Sequence, residues 1–113
     1  MNDLRPLSGV RVLDVSRVVA GPTCCFWLAS LGAEVIRVES PDGDVGWKTV
    51  PRVGPHDDHD GPLGPRDIPL SPLRKHRGKR SVVLDLTTEP GRELLRRLVV
   101  TCDVLVENHK PGT

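Results

Sequence analysis

The sequence predicts an α/β fold, a parallel sheet assembled from two βαβ units, on three observations. Short runs rich in β-branched and aliphatic residues recur at about residues 10–15, 34–39, 81–86 and 103–107. A stretch of helical length separates the first run from the second and the third from the fourth. Each of these stretches has helix punctuation at its ends. A helix bounded so closely by two strands is the βαβ unit, so the strands should be parallel and each crossover right-handed.

In the first run, Val10, Val12, Leu13 and Val15 are broken only by Arg11 and Asp14, as suits a strand buried on most of both faces. Ser16 to Gly21 interrupts the apolar pattern. Pro22 fits the first turn of a helix, where its missing N–H would have had no partner. Phe26, Trp27, Leu28, Ala29 and Leu31 fill that helix, and Gly32 marks its C-terminal stop. Val35, Ile36 and Val38 then supply the second strand.

Residues 40–79 hold most of the prolines and glycines and sustain no period. An insert this long inside a small domain is expected to be functional or floppy. Order returns with Val82, Val83, Leu84 and Leu86. Thr87 or Thr88 can cap the next helix, with Pro90 in its first turn. Leu94, Leu95, Leu98 and Val99 are expected on one face, Arg92, Glu93, Arg96 and Arg97 on the other, and Glu93 with Arg97 as an i,i+4 pair. Val104 to Val106 forms the fourth strand. Four such strands with two helices leave sheet faces and edges uncovered, so residues 1–113 are expected to be an unfinished domain.

The chain has 113 residues, 37% hydrophobic and 27% charged, which is ordinary for a soluble globular protein. Aromatics are only 3% and the net charge is +1, so a nucleic-acid partner is not expected. No apolar run approaches the roughly 20 residues of a membrane span, and no signal peptide is expected. Cys24, Cys25 and Cys102 match no metal-ligand spacing and form a poor disulfide framework, which suggests a reducing, cytoplasmic setting.

Ligands of open α/β sheets bind beyond the carboxyl ends of the strands. Ser16 to Gly21, Leu86 to Thr88 and Glu107 to Gly112 qualify by position, although the first lacks the dinucleotide glycines. The basic run Arg74, Lys75, His76, Arg77, Gly78, Lys79, Arg80 is either a cradle for phosphates or a solvated loop end. His56, Asp57, Asp58, His59 and Asp60 include metal-ligand chemistry, but without scaffolded spacing they are read as polar loop, and no metal site is assigned. Cys25 lies near a helix N-terminus, which can activate a thiol, but is read as a small buried residue. Asp14, Glu39, Asp85 and Glu107 end or follow strands, yet no pair has a spacing that specifies acid–base chemistry.

Several stretches together resemble the N-terminal part of the class III CoA-transferases, the CaiB/BaiF family. They are Pro6 to Asp14, Ala20-Gly21-Pro22, Leu31 to Glu39, Gly78 to Leu86, Gly91-Arg92-Glu93, and Asp103 to Asn108 followed by Pro111-Gly112. The resemblance implies a Rossmann-like large domain, and two full-length chains interlocked as a homodimer. It implies CoA and acyl-CoA as substrates, with no permanently bound cofactor, and a carboxylic acid as acceptor. By resemblance the CoA contacts map to Val19 and Ala20, to Leu84, Asp85, Leu86 and Thr87, and to Asn108, His109 and Lys110. Lys79 and Arg80 then become possible phosphate contacts. Ser40 stands where formyl-CoA transferase has a CoA-contacting arginine, His109 where the family usually has an aromatic residue, and His76 where it usually has asparagine.

In these transferases an aspartate attacks the thioester to give an acyl-enzyme anhydride. The resemblance places that aspartate beyond Thr113, so no catalytic residue is assigned within this chain, and the chain alone is expected to be inactive. The alternatives are the α-methylacyl-CoA racemase branch of the same family and a non-catalytic nucleotide-binding or dimerising remnant.

Overall fold

The parallel sheet forms because four short apolar runs pair in one direction. The computed structural model describes residues 4–48, 52–53 and 67–113. In chain order the elements are β1 (Arg11–Asp14), α1 (Ala20–Ser30), β2 (Glu34–Glu39), β3 (Arg52–Val53), β4 (Ile68–Pro69), α2 (Leu70–Lys75), β5 (Arg80–Val83), α3 (Glu89–Val99) and β6 (Val104–Val106). The main sheet runs β5-β2-β1-β6 with every pair parallel. This is the order of the first half of a doubly wound fold, and its strand order reverses between β1 and β6.

Strand alternation assigns each residue to a face. Val12 and Val35 are register partners and pack under α1 with Cys25, Ala29 and Ala33. Leu13, Val38 and Leu84 lie on the opposite face, against Leu95, Leu98 and Val99 of α3. The same alternation places Asp14 and Arg37, also register partners, on the α1 side at the carboxyl end of the strands. α1 ends at Leu31, and Gly32 follows at φ +106, a backbone angle that side chains rarely adopt.

Three expectations for these strands and helices need correction. The third strand spans Arg80–Val83 instead of 81–86. Leu84 makes one last bond to the Glu39 carbonyl, 2.9 Å. The chain then turns out, because the Asp85 carboxylate captures the amide and hydroxyl of Thr87 at 3.0 and 2.6 Å. Leu94 is 48% exposed, since a helix that buries residues 95, 98 and 99 turns 94 aside. Glu93 pairs with Arg96 at 3.1 Å, and Arg96 also reaches Glu89 at 2.8 Å.

The 40–79 insert is not uniformly irregular. It contains a 3₁₀ turn at Val45–Lys48, the antiparallel pair β3–β4, and α2. The run His56 to Asp60 lies outside the described residues. No helix among the described residues is long and apolar enough to cross a membrane.

Candidate functional site

The loops at the carboxyl ends of β1, β2, β5 and β6 surround a cavity of about 280 Å³. The segment Val15 to Arg17 forms one wall and the turn from Glu39 to Val45 another. Leu84 to Thr87 and His109 complete it. The expected segment 84–87 and His109 are thus brought together. Val19 instead lines a second cavity of about 560 Å³ between α1 and α2, and Ala20 opens α1.

Asn108 and His109 lock the loop after β1 in place. The Asn108 side chain accepts from the Arg17 amide at 2.8 Å and donates to the Arg17 carbonyl at 2.9 Å. His109 Nε2 donates to the Val15 carbonyl at 2.9 Å. Asn108 therefore acts on the cavity through Arg17, not by lining it. Lys110 is exposed. Directly after these anchors Val18 sits at φ +69, a conformation costly for a β-branched residue. The bend also needs Gly21, because a methyl group there would strike the Ser16 side chain.

Under the loop lies a buried ionic network. The side chains of Asp14, Arg37 and Lys79 are 0, 3 and 1% exposed. Asp14 accepts from Lys79 Nζ at 2.8 Å, from the Ser16 amide at 3.0 Å, from Arg37 at 3.3 Å, and from the Ser16 hydroxyl. Arg37 also donates to the Ser16 carbonyl at 3.1 Å and pairs with Asp44, which belongs to the turn walling the cavity. Lys79 Nζ further donates to the Pro22 carbonyl at 2.8 Å and lies 3.3 Å from His76 Nδ1. The ammonium has only donors, so the imidazole accepts through Nδ1 and is neutral.

Burial pushes the Asp14 carboxyl upward, but the bonds from Lys79 and Ser16 and the nearby cations outweigh it and hold it below the usual range. Burial lowers the Lys79 ammonium against the pull of Asp14. His76 falls to about 4, through burial first and then the charges of Arg37 and Lys79. Cys25, fully buried, is pushed up to about 12 by burial and by Asp14, so its thiol is not activated.

The basic run is dispersed rather than gathered into a cradle. Lys79, expected near phosphates, is buried and committed to Asp14. Arg80 opens β5 and pairs with Glu34 at 2.8 Å, directed away from the cavity. Arg77 stacks over the Phe26 ring at 5.5 Å. Arg74 and Lys75 line the second cavity. The network of Asp14, Arg37, Asp44 and Lys79 was not foreseen, and its signals in the sequence were a carboxylate ending β1 and an arginine within the apolar run of β2.

The family model described as CoA-transferase family III matches residues 7–113. The chain belongs to CoA-transferase family III. This family III chain is 42% identical over 112 residues to a probable fatty acyl-CoA transferase of Mycobacterium tuberculosis, covering 99% of itself and 26% of that protein. It is 44% identical over 110 residues to the succinate–glutarate CoA-transferase of Agrobacterium fabrum, covering 93% of itself and 25% of the relative. A crystal structure of a CaiB/BaiF family protein from Brucella suis superposes with a TM-score of 0.81 at 40% identity, over 95% of this chain and 26% of that one. The family III chain thus spans about a quarter of the length of these relatives.

Proposed function

We propose that this chain forms the CoA-binding part of a transferase that moves CoA between an acyl-CoA thioester and a carboxylic acid. One observation carries the proposal: Leu84 to Thr87 and His109 converge on a cavity at the carboxyl rim, beside the point where the strand order reverses. The activities for which the relatives are named, on fatty acyl-CoA and on succinate and glutarate, support the reaction class. Leu84 and Leu86 give the cavity its apolar contacts, and Asn108 and His109 set its β1 wall. Ala20 and Lys110 stand at its approach by resemblance. By resemblance the nucleophilic carboxylate is expected outside these residues, and Asp14, buried and ion-paired, and Asp85, spent on its own turn, are unsuited to that role. The full-length protein is read as an interlocked homodimer in the cytoplasm.

Calorimetric titration of the chain with CoA tests the reading. Binding is expected, and Thr87→Arg, which fills the cavity from an exposed position, should weaken it by about 10-fold or more, roughly 1.4 kcal/mol. Unchanged affinity in Thr87→Arg overturns the site. Acyl transfer by the chain alone should stay at background.

A further inference from the structure

The second cavity touches the CoA-binding reading only at Val19. Its floor is apolar, made by Val19, Phe26, Trp27 and Leu70, while Arg74 and Lys75 stand at its side. No carboxylate among the described residues pairs with Arg74, and Lys75 donates one of its three N–H groups to the Val18 carbonyl at 2.7 Å. Two adjacent cations beside an apolar wall repel one another, and an anion between them would relieve that repulsion.

We propose that this cavity receives the acyl group of the thioester, and that Arg74 and Lys75 select acyl groups ending in a second carboxylate. The inference rests on the CoA-binding reading. Its geometric basis is the loop after β1, which separates the two cavities: Ser16 and Arg17 face the first and Val19 the second. A thioester whose nucleotide occupies the first cavity passes its acyl end over Val19. Methylene groups then meet Phe26 and Trp27, and the terminal carboxylate takes paired hydrogen bonds from the Arg74 guanidinium, with the Lys75 ammonium as a point charge. A monocarboxylic acyl group of equal length gains the apolar contact alone.

Trp27 lines this cavity, so tryptophan emission can follow titration of the chain with CoA, butyryl-CoA and succinyl-CoA, which differ in having no acyl group, an apolar one and a carboxylate-bearing one. Succinyl-CoA should bind about 10-fold more tightly than butyryl-CoA, the scale of one charge-assisted contact. In Arg74→Gln that ratio should fall toward one, and in Arg74→Lys it should recover in part. Equal affinity for the two thioesters in the parent chain overturns this inference while leaving the CoA reading intact. A proportional loss for all three ligands in Arg74→Gln also overturns it, since Arg74 would then serve the nucleotide. Failure of CoA itself to bind overturns the underlying reading.

Discussion

His76 shows how much the buried network depends on protonation state. Its imidazole must accept from Lys79, and Arg37 and Lys79 face it as cations while Asp14 and Asp44 supply the compensating charge. At pH 7 the ring is neutral in folded and unfolded chains alike. Below pH 6.5 the unfolded chain takes up a proton that the folded chain refuses until about pH 4, so stability should fall across that window, by at most about 3 kcal/mol. Asp14 adds a second loss at lower pH. Its carboxyl is held below 3.8, so its contribution is complete above that value and disappears as pH falls further. Urea midpoints measured from pH 7 to 4 should decline in the parent and stay much flatter in His76→Asn, which keeps an acceptor and removes the titration. Equal slopes would reject the role given to His76. At this scale Asp14 was legible as a strand-end carboxylate, but its partners were not. They come from residues 37, 44 and 79, on separate segments: the strand register sets Arg37 beside Asp14, while Asp44 follows β2 and Lys79 precedes β5.

The loop after β1 is the element on which both cavities depend, and it is held under strain. Val18 at φ +69 costs roughly 1–2 kcal/mol, so Val18→Gly should raise stability by about 1 kcal/mol after the entropy that glycine adds to the unfolded chain. Gly21→Ala should have the opposite sign, about 1–3 kcal/mol of destabilisation, because the added methyl has no room beside Ser16. Denaturant unfolding of the two variants checks both signs. Two changes in the same direction would mean the loop geometry is misread. The sequence reading placed both main helices from their caps: Pro22, Gly32, and Thr88, which accepts from the Gly91 amide at 3.2 Å. It overran β5, because Leu84 and Leu86 continue an apolar pattern that the Asp85 turn cuts off. It also missed α2, where prolines and basic residues mask six helical positions.

At the scale of the whole molecule, the sheet has two unpaired edges, β5 and β6, among the described residues. Val83 on β5 and Leu105 on β6 are 58 and 50% exposed, and Trp27 on α1 is 61% exposed. Open edges with apolar side chains promote association between chains. Sedimentation velocity of the isolated chain should show concentration-dependent self-association, and Leu105→Lys should shift it toward monomer. A parent chain that stays monomeric at high concentration would refute this. The parallel architecture was readable from periodicity, but the order of strands was not. That order follows from backbone pairings, with β1 taking the centre between β2 and β6.

The clamp on Arg17 comes from a side chain 91 positions downstream. During synthesis the first loop emerges long before Asn108 exists, and closing so distant a contact is entropically slow. The loop dividing the two cavities therefore acquires its final shape only when β6 docks. The shape of both cavities consequently waits on a contact that the first βαβ unit cannot supply by itself.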